Sequence, residues 1–125
     1  MNTSYKLHSF EKSLKNLNDV IVMPKSNITR DAAIKRYELC YELAWKSVQE
    51  ALKNEGLEVC KSPKSCFKEA FKQGWIVDEK GFSDMLEGRN MTTHTYDETL
   101  ADAVYNHLAT YLSLLDNLFV KLSRC

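Results

Sequence analysis

Val104-Tyr105-Asn106-His107-Leu108-Ala109-Thr110-Tyr111-Leu112-Ser113-Leu114-Leu115-Asp116-Asn117-Leu118-Phe119-Val120-Lys121-Leu122 decides the fold class of this chain. Val104, Leu108, Tyr111, Leu115, Leu118 and Leu122 are spaced alternately four and three residues apart. That rhythm puts them on one face of an α-helix, since a strand would alternate every second residue. Thr95 followed by Glu98 fits a capping box, so the helix is expected to begin near Asp97. At about 1.5 Å per residue it would be about 40 Å long. Such length in a small chain suggests that part of it packs on a second copy.

The same periodicity runs backwards through the chain. Phe10, Leu14, Leu17 and Ile21 form the stripe of a first helix, which Pro24 ends. Ile34, Tyr37, Tyr41, Ala44 with Trp45, Val48 and Leu52 form a second, with Asn27 or Thr29 able to cap it and Gly56 to terminate it. Ser62-Pro63 opens a third, with proline at the first helical position, where its missing N–H does no harm. Phe67, Ala70 and Phe71 are its expected buried side, and Gly74 ends it. A shorter fourth helix is expected from about 78 to about 91, with Phe82, Met85 and Leu86 inward and Gly88 weakening its last turn. No segment alternates as a half-buried strand would, and no repeat or linker is visible. The expectation is one all-α domain over residues 1–125, an up-and-down bundle of about five helices.

Composition agrees and excludes several functions. The chain has 125 residues, with 44% hydrophobic, 27% charged, 4 Gly and 2 Pro. That is too few turn formers for a β-rich fold. Lys plus Arg and Asp plus Glu balance at 17 each, so nucleic acid cannot be held by bulk charge and must meet a local patch. The most apolar stretch, 108–120, is broken by Asp116 and Asn117 and falls short of the roughly 20 residues of a membrane span. Residues 1–20 carry charges and lack the apolar core of a signal peptide, so a cytoplasmic protein is expected. Cys40, Cys60, Cys66 and Cys125 have no zinc-type spacing. No metal site is expected, and in that compartment all four read as free thiols.

Arg89-Asn90-Met91-Thr92-Thr93-His94-Thr95-Tyr96 carries the chemistry. It puts a permanent cation, an imidazole and a phenol between two helices. A guanidinium fork can steady a phosphate while an imidazole takes a proton near neutral pH. On one unbroken helix, five residues turn about 500°, leaving Arg89 and His94 about 140° apart. They converge only where the helix breaks, and the β-branched pair Thr92-Thr93 with the Thr95 cap suggests that it does. His94 would then sit at the mouth of the fifth helix, a natural anion site that favours the neutral, proton-accepting ring. That arrangement suits attack by a ribose 2′-hydroxyl on its own phosphate. The plainer alternative is that Arg89 and His94 cap helix ends and Tyr96 is packing.

The segment fits R-x4-H-x-Y and resembles the motif of the HEPN superfamily, in particular of HepT-like toxins. The run Arg30-Asp31-Ala32-Ala33-Ile34-Lys35-Arg36-Tyr37-Glu38-Leu39-Cys40-Tyr41-Glu42-Leu43-Ala44-Trp45-Lys46 is similar to the second helix of the nucleotidyltransferase substrate-binding protein family. Glu69-Ala70-Phe71, Gly74-Trp75-Ile76, Met85-Leu86-Glu87-Gly88-Arg89-Asn90 and His94-Thr95-Tyr96-Asp97-Glu98 extend the similarity over roughly 10–118. Cys40 departs from it, standing where Thr is common. The resemblance implies a HEPN fold and a homodimer with Arg89 and His94 at the subunit interface. It implies a metal-independent endoribonuclease without cofactor, acting on RNA and not DNA. It also implies a cognate minimal nucleotidyltransferase, encoded alongside, that silences the toxin by adding AMP. On that basis Arg89 and His94 are catalytic, Asn90 supports them, and Tyr96 accepts AMP. The alternative within the same resemblance is a non-catalytic substrate- or nucleotide-binding subunit of a two-component nucleotidyltransferase.

Other residues read more plainly. Glu38 and Glu42 share a helix face and are expected to form a solvated or dimer-facing edge. Tyr37, Tyr41 and Trp45 could stack bases, but such ladders are usually core. Arg36 could reach the cleft or a partner. His107 reads as a boundary residue, and His8 has no constellation. Lys61, Lys64, Lys68 and Lys72 make a basic strip around the third helix. It is the one local patch suited to RNA phosphate, although solvated lysines are the default.

Overall fold

The computed structural model describes residues 5–125. Five helices follow one another: α1 (Tyr5–Ile21), α2 (Asn27–Asn54), α3 (Pro63–Lys72), α4 (Glu79–Met91) and α5 (Glu98–Leu122). A 3₁₀ turn, Thr92–His94, stands between α4 and α5. Consecutive helices pack on one another, and α5 returns to lie against both α1 and α2. No described residue is in a strand, and no helix among the described residues is long and apolar enough to cross a membrane.

Helix ends follow local side-chain chemistry. Ser26, and neither Asn27 nor Thr29, is the N-cap of α2. Thr29 is its capping-box partner, and Asn27 is already inside the helix. Ser62 caps α3 in the same way, with Pro63 at the first helical position. Past the other ends, Gly56 at φ 74° and Gly74 at φ 80° take the left-handed conformation that lets the chain leave α2 and α3. Asp97 caps α5, its carboxylate accepting the Thr99 and Leu100 amides at 2.9 and 3.3 Å. The expected Thr95–Glu98 box does not form. The 3₁₀ turn runs through His94, and the Thr95 hydroxyl donates to the Thr92 carbonyl at 3.2 Å.

All six residues of the α5 stripe are buried, as are Phe10, Leu14 and Leu17 of α1 and Ile34, Tyr37, Tyr41, Ala44, Val48 and Leu52 of α2. The stripe is covered within one chain. At about 1.5 Å per residue α5 spans about 38 Å, and α2, with 28 residues, is longer still. The length of α5 therefore does not call for a second copy. One inward expectation is corrected. Phe71 is 40% exposed, because the buried side of short α3 is Cys66, Phe67 and Ala70. Gly88, expected to weaken the last turn, stands inside a helix that continues to Met91 and is a contact point: a β-carbon there would lie 2.9 Å from Tyr111 Cε2. Its lack of a side chain lets α4 close onto Tyr111 of α5.

Tyr37 is the polar centre of this core. It is fully buried, stacks on Tyr111 at 5.5 Å between centroids, and donates from its hydroxyl to the Met85 carbonyl at 2.7 Å. Burial raises the pKa of Tyr37 and of Tyr41 well above the ordinary phenol value, so both stay neutral. Arg30 is buried at the start of α2. Its guanidinium donates to Glu98 at 3.3 Å and to Asp102 at 3.1 Å, locking α2 to the start of α5. Hydrogen bonds from Lys25 and Arg30 hold the Asp102 carboxyl below the usual range.

The free-thiol expectation is corrected for two cysteines. Cys60 and Cys66 form a disulfide, their Cα atoms 5.1 Å apart. The segment after α2 folds back onto the first turn of α3, held also by Gln49 Nε2 donating to the Cys60 carbonyl at 2.8 Å. No spacing rule shows such a closure. Cys40 and Cys125 are free. Burial pushes the Cys40 thiol up to about 11, and it donates to the Ser13 carbonyl at 3.1 Å. Thiol titration without reductant should therefore find one fast-reacting group, Cys125, and a second, Cys40, only on denaturation. Four reactive thiols in the denatured, unreduced protein would show that the Cys60–Cys66 bond is absent in solution.

Candidate functional site

The helix break expected between Arg89 and His94 is present. Helix α4 stops at Met91, and three residues of 3₁₀ turn carry the chain round to His94. Thr92 anchors the bend. It is buried, its hydroxyl accepts Arg89 Nη1 at 2.9 Å, and it lies 2.7 Å from the Arg89 carbonyl and 3.1 Å from Glu38 Oε2. The β-branched side chain thus does more than disfavour helix. It closes the last turn of α4 and joins it to α2.

Arg89 projects from that last turn toward α2. Its guanidinium Nη1 lies 3.3 Å from Glu38 Oε2, with both side chains about a quarter exposed. Among the described residues, Arg89 Nε is buried and has no hydrogen-bond partner. The cation is close enough to Tyr41 to oppose part of the effect of burial on that phenol. Tyr37 and Tyr41 therefore wall the site as core residues, and they are too buried to stack bases. Glu38 was the residue that sequence reasoning missed. Instead of forming a solvated or dimer-facing edge with Glu42, it pairs with Arg89, while Glu42 lies 3.8 Å from Lys46 on its own helix.

His94 is exposed. Its Nδ1 lies 3.5 Å from the Tyr96 hydroxyl, at the outer limit of a hydrogen bond, and the two rings meet edge to face at 6.0 Å. Tyr96 is 84% exposed, which rules out packing for that residue. Asn90 is exposed, and its side-chain amide makes no hydrogen bond among the described residues. Within one chain the structure thus makes two pairs, Arg89 with Glu38 and His94 with Tyr96, joined by the 3₁₀ turn. The open anion site expected at the mouth of α5 is corrected. The Asp97 carboxylate occupies the first-turn amides, so a phosphate here must be met by side chains.

Elsewhere the other candidates resolve. Arg36 donates to the Asn16 carbonyl of α1 at 2.6 Å. His107 is exposed and stacks on Tyr111 at 5.8 Å, a boundary residue as expected. Among the described residues, no three His, Cys, Asp or Glu side chains are grouped to hold a metal ion.

Residues 5–124 match the family model described as nucleotidyltransferase substrate binding protein like. The chain belongs to that family. A solved structure from Thermus thermophilus is similar over 90% of this chain and 98% of its own, with 34% identity and a TM-score of 0.84. HI0074 from Haemophilus influenzae, described as having the fold of a substrate binding domain of a nucleotidyltransferase, superimposes with a TM-score of 0.83. It covers 94% of this chain and 98% of its own at 23% identity, which speaks to the fold alone. The chain is also similar to a protein named probable ribonuclease HepT, from Haemophilus influenzae. That relative is 31% identical over 84 residues, 64% of this chain, and the chain spans 58% of the relative's length.

Proposed function

We propose that this family member is a HEPN-type toxin: an endoribonuclease that cuts RNA without a metal ion, using Arg89 and His94. A cognate minimal nucleotidyltransferase neutralises it by adding AMP to Tyr96. The observation that carries the proposal is the bend at Thr92–His94, which frees an imidazole to solvent just past the helix whose last turn holds a well-anchored guanidinium. His94 takes the proton of a ribose 2′-hydroxyl as its oxygen attacks the adjacent phosphorus. Arg89 steadies the negative charge, and the 5′-oxygen of the next nucleotide leaves, giving a 2′,3′-cyclic phosphate. Glu38 and Thr92 act as positioning residues by fixing the guanidinium. The working unit is a homodimer with both residues at the subunit interface, in a cytoplasmic setting.

Tyr96 supports the regulatory half. Its hydroxyl is exposed and within 3.5 Å of His94 Nδ1. Attack of this oxygen on the α-phosphorus of ATP, with pyrophosphate leaving, would place a phosphate against the imidazole and block RNA. Incubation with the nucleotidyltransferase and ATP should raise the mass by whole AMP units and stop RNA cleavage, while Tyr96→Phe should prevent both. Modification mapping to another residue would contradict this assignment.

The family description favours one competing function, a substrate-binding subunit that presents a nucleotide to its nucleotidyltransferase. That role predicts tight association with the enzyme, no AMP on Tyr96 and no loss of RNA.

A further inference from the structure

We infer that the groove between α3 and α4 is a docking surface for single-stranded RNA, separate from the Arg89–His94 site; the inference rests on the ribonuclease function proposed above. The groove encloses about 420 Å³ and is floored by Phe67, Ile76, Phe82 and Leu86. Lys64 and Lys68 stand on its α3 side, one helical turn apart. Neither forms an ion pair among the described residues, whereas Lys72 is matched by Glu69 at 3.6 Å and Lys80 by Asp84 at 3.1 Å. Two ammoniums without an ion-pair partner among the described residues thus border an apolar cleft on a chain whose net charge is zero. Lys80, paired with Asp84, lines the same groove, as does Glu79, which forms no ion pair among the described residues; the two unpaired lysines on the α3 side outnumber that carboxylate, so the attraction for anions comes from there.

That combination has a definite chemical preference. Lysines hold phosphates without regard to base, and an apolar cleft accepts the face of an unstacked base. Duplex RNA hides its base faces, so a single strand is favoured. An acidic amphipathic helix of a partner protein is the competing occupant. It would need anchors along two or more turns, and about 420 Å³ is near the lower end for even a small-ligand site. A nucleotide unit or two fits the space better. The four-lysine strip visible in the sequence thereby narrows to Lys64 and Lys68.

The test measures binding of a fluorescent, unstructured RNA oligonucleotide to the full chain carrying His94→Ala, so that it is not cut. Lys64→Glu/Lys68→Glu should weaken binding about tenfold or more and flatten the slope of log affinity against log salt by about 1.4, two phosphate contacts at about 0.7 each. Lys12→Glu/Lys15→Glu on α1, with the same charge change, should do much less. Ser83→Trp, which fills the groove from an exposed position, should weaken binding with the salt slope unchanged. In the cleaving protein the lysine pair should raise KM and spare kcat. Unchanged affinity and KM in Lys64→Glu/Lys68→Glu, with cleavage still dependent on His94, would overturn the docking surface and leave the ribonuclease standing. Variants that bind RNA normally but lose the nucleotidyltransferase would assign the groove to the protein partner and also overturn the inference. A wild-type chain that neither binds nor cuts RNA would remove both.

Discussion

His94→Ala should lower RNA cleavage by at least about a hundredfold, the smaller end of what a general base contributes. The fold should survive, because His94 is exposed and its one side-chain partner is Tyr96, itself at the surface. Surface substitutions of this kind move stability by about 0.5 kcal/mol or less. Loss of activity with an unchanged melting temperature is the expected pair of results, read from a quenched-fluorophore RNA substrate and a thermal melt. Full activity in His94→Ala would remove the imidazole from the chemistry and with it the role of the 3₁₀ turn.

Tyr37→Ala should be the most damaging single change to the fold, at about 3–5 kcal/mol by the range for large aromatic truncations. The side chain is fully buried, stacked on Tyr111 and tilted against Tyr41 at 6.2 Å. Its removal leaves a cavity at the point where α2, α4 and α5 meet. Tyr37→Phe separates the hydroxyl from the ring. The Met85 carbonyl keeps its helical partner, so only a hydrogen bond is lost, about 1 kcal/mol. In chemical denaturation the two midpoints should differ clearly, with Ala far lower. Equal midpoints would mean that the ring contributes little and the stack is incidental. Cleavage should fall with Tyr37→Ala even below its unfolding transition, since α4 positions Arg89.

The apolar rhythm made most of the fold legible. Val104 to Leu122 at alternating steps of four and three could be only one face of a helix, and every stripe residue is buried. Where periodicity had little chain to act on, it misled. Helix α3 has ten residues, and extending its stripe by one step to Phe71 overran the side that meets the core. Caps were harder, because Ser26, Asn27 and Thr29 are all good N-cap residues and only the path of the chain chooses among them. At the site, the cation, imidazole and phenol could be read directly from their spacing. Glu38 could not, since it stands on α2, far before Arg89 in the chain, and only the packing of α4 on α2 unites them. The Cys60–Cys66 closure was hidden for the same reason: it depends on a turn that no residue pattern marks.

The most direct test of the central claim, that guanidinium and imidazole act together on one phosphodiester, is the chemistry of the ends left on RNA. Purified protein in excess chelator should leave 2′,3′-cyclic phosphate, resolved by mass spectrometry of the products, and should leave none after Arg89→Ala or His94→Ala. Intact RNA, or products with 3′-hydroxyl and 5′-phosphate ends that appear only with a divalent cation, would contradict it.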